Sequence, residues 1–549
     1  MLIDTRQLAD GEALTADVCI IGAGPAGTTL ANELLDSGLD VLVLESGTRH
    51  ADHRIQRLSG GEVSGDADEP PEETHLRQLG GTANHWIIKM ADKQYGYRYV
   101  PLTPVDFEAR AGVPHSGWPI TRAELDPYYE RAHRQCRVGP FRYGPGNWET
   151  AEQRPLALHG DRVQTDFFMF GPTGVFTQEF PERLAAARNA RLVLQAHVTE
   201  LLTNRSGERV ETAVARTFDG KEIRFHARHF VIAAGGYQTP RLLLASRRHD
   251  PRGIGNAHDV VGRYYVDHSL VPSGNFHPKD LRLIDTLGLY DMRLMEGASV
   301  LGKLALTDDT VREEGLPHFT ATLFPMPPLR DVDALWSLKE VAVALKGRRL
   351  PLQLGTHLLR ILRGSPYLTQ MMWRKVVRGA PLMPGFGQGG WSKFKNNHKK
   401  FHRLELLAFA EQLPDPDNRI TLTEQTDELG MPLIRVHFQW RQDNIDGILR
   451  AQEIMAEALE GTGLGHLEPA RTEDRKPVIG AQGLHHLMGT TRMHDDPTQG
   501  VVDRNCTVHG VPNLHIASSS VFTTGGYANP TLTILALAIR LADHLKQLD

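Results

Sequence analysis

A chain of 549 residues with a net charge of −5 and 40% hydrophobic side chains is too long for one hydrophobic core, so two or more globular domains are expected. No apolar run reaches 18 residues, which argues against a membrane span; the acidic start MLIDTRQLADGEALTADV lacks a secretory layout and points to the cytoplasm. The three cysteines, Cys19, Cys136 and Cys506, lie too far apart for a disulfide framework or a thiolate metal site, so no metal is expected. No nucleic-acid signature is present either.

Ala16–Ile21 is a short apolar strand running straight into Gly22-Ala23-Gly24-Pro25-Ala26-Gly27. A helix is predicted over Thr28–Leu35 and a second strand over Val41–Leu44, ending in Glu45. Strand, glycine turn, helix, strand and acid in that order predict a dinucleotide-binding unit. Gly22 permits the tight turn, Gly24 lets backbone approach a pyrophosphate, and Gly27 lets helix meet strand. The helix N-terminus would hold phosphates, and Glu45 would accept from ribose hydroxyls. A Gly- and acid-rich stretch, Ser59–Glu73, reads as loop. Leu79–Trp86 is a second glycine turn, where Gly80 and Gly81 suit close approach to a planar ligand.

Thr121 and Glu124 form a capping box that opens a helix. Strands are expected around Arg191–Leu202 and over Glu222–Ala233, the latter leading through Ala234-Gly235-Gly236 into another helix. A glycine-rich strand exit so far from the first makes the dinucleotide domain discontinuous. His318–Leu323, Arg419–Leu422 and Leu433–Trp440 predict a sheet-based second domain. Between them, Asp331–Gly379 has helical spacing of apolar residues. Val341–Lys400 holds twelve Lys and Arg and no Asp or Glu, leaving the rest of the chain at −17 (−5 − 12). That tract fits a lid, a membrane-surface patch or a docking face for an acidic partner. A solvated basic face on a helical insertion is slightly favoured over these.

Near the C-terminus, His486 precedes a Gly-Thr turn and Asn529-Pro530 opens a long apolar helix, with Asn as cap and Pro at the first helical position. A His and an Asn beside a buried helix N-terminus can handle a proton and stabilise negative charge together. Without the N-terminal turn, His486 would read as an ordinary core histidine. His485, expected on extended backbone and so pointing the other way, reads as structural.

Taken together, GAGPAG with Glu45-Ser46, GGTANHW, SGWPITRAELDPYYERA, VIAAGGYQTPRLLLAS, VVGRYYVDH, EQLPDPDNRITLTEQTDELGMP, HLMGTTRM and the NPTLT helix make the chain similar to the glucose-methanol-choline (GMC) flavoenzymes, nearly end to end. Within that family the His486…Asn529 pair and the HW turn most resemble pyranose oxidases and bacterial sugar or aminoglycoside flavin dehydrogenases. The resemblance implies FAD. Gly22, Ala23, Gly24, Ala26, Gly27, Glu45 and Ser46 would serve its ADP half, with Val198 and Ala234 near the adenine. Gly81, Thr82, Asn84 and His85 would lie against the isoalloxazine ring, and Asn529 and Thr531 at its pyrimidine end. The His matching His85 carries the flavin covalently in pyranose oxidases. Ile87 stands where those enzymes have a Thr that helps oxygen chemistry, which favours a dehydrogenase. Ser518 stands where many members have an Asp.

The expected architecture is α/β: an FAD-binding domain of residues 1–110, 190–269 and 484–549, and a substrate domain of 111–189 and 270–483 with a basic insertion at about 331–400. The expected activity is oxidation of a small-molecule alcohol, a hydroxyl of a sugar, glycoside or aminoglycoside. His486 would act as base and Asn529 as hydrogen-bond donor to the reacting oxygen. Two other readings stand beside it: a lyase with structural FAD, and a flavoprotein subunit passing electrons to an acidic partner. Asp267 is a positional candidate for holding a cationic substrate.

Overall fold

Ala13–Ile21 crosses the middle of a mainly parallel, eight-stranded sheet. Its neighbours are Val41–Glu45 on one side and Glu222–Ile232 on the other, both parallel to it. Beyond Val41–Glu45 lie Ala190–Leu194 and Leu2–Asp4. Beyond Glu222–Ile232 an antiparallel pair, Val210–Arg216 and His197–Thr203, continues the sheet. Leu514–Ile516 pairs with the far end of Glu222–Ile232. Val18, Ile20, Leu42, Val43, Val231 and Ile232 are fully buried, as strands covered on both faces require. Each such side chain contributes about 1.5–3 kcal/mol.

The computed structural model describes residues 1–548 apart from 68, 90–94, 152, 379–389, 394 and 481–482. A second, nine-stranded sheet is antiparallel and includes Tyr95–Tyr99, Val163–Pro172, Ser269–Pro278, Ala298–Leu306, Phe319–Met326 and Arg403–Ala410. The expected boundaries need correction here. Strands Ile88–Lys89 and Tyr95–Tyr99, assigned to the dinucleotide domain, belong to this second sheet, because Tyr95–Tyr99 pairs with Val163–Pro172. The capped helix Arg122–Gln135, assigned to the substrate domain, packs instead on the C-terminal helix of the dinucleotide side. The chain crosses between domains more often than hydrophobic patterning alone reveals.

Gly61–Gly65 lies within the stretch read as loop, yet it forms a strand parallel to Pro432–Phe438, which also pairs with Arg419–Thr426. This small third sheet takes in two of the strands expected for the substrate sheet. The tract after Phe319–Met326 is three helices, Leu329–Lys346, Leu354–Arg363 and Ser365–Arg378, packed on one another. The end of the basic tract, 379–389 and 394, lies outside the described residues. Among the described residues no helix is long and apolar enough to cross a membrane.

Candidate active site

A cleft of about 1220 Å³ runs along the carboxyl ends of the parallel strands. Its floor is the first glycine turn. Gly22 has φ 109°, and a Cβ there would come within 2.5 Å of the Ala233 carbonyl oxygen, so only glycine fits. Gly24, Pro25 and Ala26 line the cleft at the start of helix Pro25–Glu33, where unpaired N–H groups favour a phosphate. Gly27 faces away, with room for only a hydrogen against the Gly22 carbonyl. The second glycine turn meets the first: the Gly80 N–H donates to the Ala23 carbonyl at 3.0 Å, and a Cβ on Gly81 would stand 3.0 Å from the Gly24 Cα.

Glu45 lines this end and is buried. Its two oxygens accept the backbone N–H groups of Ala23 at 2.9 Å and Gly47 at 2.7 Å. It therefore braces the turn, with its remaining lone pairs available to a ligand. Burial pushes its carboxyl above the ordinary range, against those two hydrogen bonds. Ser46, Val198 and Ala234 also line the cleft. Three further wall residues were not among the expected site residues: His75, Arg77 and Gln238, the last within the VIAAGGYQTPRLLLAS motif. The Arg77 guanidinium donates to Gln238 at 2.6 Å and to Ser59 at 2.8 Å, and burial lowers its pKa to about 10.

At the other end, Gly81, Thr82, Trp86, His485, His486 and Pro530 come together. The expected ring-side set is only partly realised. Trp86 lines the cleft, while the Asn84 amide turns back to donate to the Leu79 and Gly81 carbonyls at 3.1 and 2.9 Å, holding the turn shut. His85 is exposed. His485 differs from expectation too. It sits at φ 58°, not on extended backbone. Its ring stays on the cleft wall, with Nε2 3.0 Å from Glu69.

His486 and Asn529, 43 positions apart, meet with the Asn529 Nδ2 3.0 Å from the His486 Nε2. The Arg98 guanidinium donates to the Asn529 Oδ1 at 3.4 Å, which turns the amide so that its N–H₂ faces the imidazole. Asn529 thus does not cap the closing helix Thr531–Leu548. The first helical bond, from the Ile534 N–H, ends on the Pro530 carbonyl at 2.9 Å, and tertiary partners claim the Asn529 side chain. Thr531 is buried in the first turn, outside the cleft lining.

Behind His486 stands His268. Its Nε2 lies 2.7 Å from the Gly526 carbonyl and its Nδ1 2.8 Å from the His486 Nδ1. A carbonyl only accepts, so the His268 Nε2 carries hydrogen and, in the neutral ring, its Nδ1 is a bare acceptor. The hydrogen between the two rings therefore belongs to the His486 Nδ1, which leaves the His486 Nε2 as a lone pair facing Asn529. Burial first, then His268 and Arg98, hold the His486 pKa well below its ordinary value. The imidazole is a neutral acceptor at neutral pH.

Asp267 organises this end differently from the expectation. Its carboxylate accepts the backbone N–H groups of His268 at 2.6 Å, His485 at 3.1 Å and His486 at 2.8 Å. Those bonds position the histidine segment and occupy the group that a cationic substrate would need.

The lining fits FAD: two close-approaching glycine turns, helix starts at Pro25 and beyond Pro530, and a long cleft ending at a neutral base. A family model described as FAD dependent oxidoreductase matches residues 17–336, more than half the chain, and one described as GMC oxidoreductase matches 414–538. The chain is 25% identical to a 2-methyl-1,2-propanediol dehydrogenase of Mycolicibacterium austroafricanum, over 97% of this chain and 95% of that one. It is 27% identical to a 6'''-hydroxyparomomycin C oxidase of Streptomyces lividus, over 96% and 92%. It is 24% identical to the fructose dehydrogenase large subunit of Gluconobacter japonicus, over 97% and 98%. A formate oxidase crystal structure has the same fold, with TM-score 0.52 at 18% identity over 98% and 99% of the two chains. The protein belongs to the FAD-dependent oxidoreductases, and its C-terminal part is similar to the GMC oxidoreductases.

Proposed function

We propose that the protein oxidises an alcohol to a carbonyl, with His486 as the base and a sugar-like polyol as the class of substrate. The supporting observation is the 3.0 Å approach of the Asn529 amide to an imidazole nitrogen that has no hydrogen of its own. Bound FAD supplies the hydride acceptor, the N5 of its ring. The His486 Nε2 takes the hydroxyl proton, a contribution of roughly 10²–10⁴-fold. The Asn529 Nδ2 has a second hydrogen for the same oxygen and holds it against the base. The closing helix sends its N-terminus into the cleft at Pro530 and favours negative charge at that edge.

The names of the relatives speak of a propanediol, hydroxyparomomycin C and fructose, which supports a polyol substrate. Those names include both dehydrogenases and oxidases. Ile87, an aliphatic side chain just beyond Trp86, supports a dehydrogenase that passes electrons to an acceptor other than oxygen. His486→Ala should keep bound FAD while anaerobic flavin bleaching by substrate slows by about 10²–10⁴-fold. Unchanged bleaching in that variant would remove His486 from the role, and a wild-type flavin that no alcohol bleaches would remove the oxidation itself.

A further inference from the structure

The three-helix insertion carries an apolar surface that packing against the rest of the protein does not explain. On Leu329–Lys346, the exposed residues Leu329, Trp336 and Val343 recur every seven positions and so share one side. Val332, Ala334 and Ala344 of the same helix are buried. On Leu354–Arg363, no residue is buried, and Leu358 and Leu362 are exposed one turn apart. On Ser365–Arg378, Leu368 and Met371 point inward while Met372 and Val376 are exposed, Val376 at 78%. The turn between the first two helices carries Leu350 at 73% and Leu352 at 91% exposure. Exposed apolar side chains in such number on one insertion mark an interaction surface.

Charge decides what that surface meets. From Val341 to Lys400 the sequence has twelve Lys and Arg and no acid. Arg348 and Arg349 immediately precede the two projecting leucines, and the Lys339 ammonium stands 4.7 Å from the Trp336 ring centre. Residues 329–378 hold ten Lys and Arg and three Asp and Glu, so a second copy would bring a net +7 (10 − 3) against another +7. An acidic protein would satisfy the charges, but Leu350 and Leu352 project outward from a turn, a shape suited to insertion into an apolar layer. Leu and Trp interleaved with Lys and Arg along exposed helices match the boundary between lipid headgroups and acyl chains.

We propose that residues 329–378 are a docking surface for an anionic lipid bilayer, the leucine turn entering the acyl boundary and the basic side chains meeting phosphate headgroups. The insertion leaves the second sheet where Met326 pairs with Arg403. The opposite end of those two strands, Phe319 paired with Ala410, adjoins His318 and Glu411, which support the loop around Gly526. Docking through the insertion therefore leaves the base and its partners undisturbed.

The test is cosedimentation of the full-length, FAD-loaded protein with two kinds of vesicle, phosphatidylcholine alone and phosphatidylcholine with one third phosphatidylglycerol. Binding should be about tenfold or more stronger on the anionic vesicles and should fall at molar salt. Leu350→Ser/Leu352→Ser and Arg348→Glu/Arg349→Glu should each weaken it about tenfold or more, with oxidation of soluble substrate unchanged. The proposal is overturned if the two vesicle types bind equally, or if the leucine variant binds like the wild type. A wild-type dimer that ignores vesicles and becomes monomeric in the leucine variant would equally overturn it, in favour of a second copy.

Discussion

His486 owes its readiness as a base to its neighbours. Left to itself, an imidazole exchanges its hydrogen between two nitrogens; here the chain Gly526 carbonyl, His268, His486, Asn529 permits one arrangement. His268 is thus a positioning residue that acts through His486. His268→Ala should lower kcat by roughly ten- to a hundredfold while retaining FAD. The acid limb of the pH–rate profile should move, because the neutral His268 Nδ1 no longer accepts from the His486 Nδ1–H. His268→Gln should recover part of the loss, since its amide can accept from the His486 Nδ1 and donate to the Gly526 carbonyl. Equal kcat and an unmoved profile in both variants would assign His268 to packing alone. At this scale the sequence was only half legible. His486 and Asn529 stood out through the turn and the proline beside them. Arg98 carried no local mark, and His268, although it ends the VVGRYYVDH motif, showed no role there, because their contacts span 431 and 218 positions.

The element that carries Asn529 is a loop, and buried charge holds it in place. The Glu411 carboxylate accepts from the Arg110 guanidinium at 2.7 and 2.9 Å, from the His318 N–H at 2.9 Å and from the Gly526 N–H at 3.3 Å. Asp106 pairs with the His318 Nδ1 at 2.9 Å, and its backbone carbonyl accepts the Thr524 hydroxyl at 2.6 Å. Lys303 and Tyr527 share Asp166 at 2.6 Å each. Arg110 and Glu411 are almost wholly out of water, at 1% and 0% side-chain exposure. Breaking a pair like this leaves an uncompensated buried charge, so Glu411→Gln should cost about 3–5 kcal/mol, read as a shift in the chemical denaturation midpoint. A loss below about 1 kcal/mol, the worth of a surface pair, would show that the bracing is dispensable. The element scale also explains two misreadings. Gly61–Gly65 has the composition of a loop and becomes a strand because Pro432–Phe438 offers it an edge. Asn529 has the right identity to cap a helix, but Arg98 and His486 outcompete the helix for its amide.

Across the molecule, buried titrating groups set how folding answers to pH. Burial lowers the pKa of His133 to about 4 and of His197 and His515 to about 3, from an ordinary 6.5. As pH falls below 6.5 the unfolded chain takes up these protons first, so the stability present above 6.5 is lost. Asp267 and Asp291 oppose this, since burial raises both from 3.8 to about 6. The folded chain holds their protons between about pH 6 and 4, which stabilises it on acidification. The histidines outnumber these two carboxyls, with His75 likewise lowered to about 3, so acidification from pH 7 to 5 brings a net loss of stability. Denaturation midpoints measured from pH 7 to 5 should fall steadily, and a rise would mean that the two carboxyls dominate. What the residues determined alone is local: glycine where the backbone must turn tightly, an apolar run that must become a buried strand, a proline that opens a helix. These name a dinucleotide fold and its cofactor turn because each follows from a few adjacent side chains. The sharing of strands between two sheets, the tautomer of the base and the direction of the Asn529 amide were decided only by tertiary structure. Each depends on which distant group arrives within hydrogen-bonding distance, and a short-range signal carries no record of that.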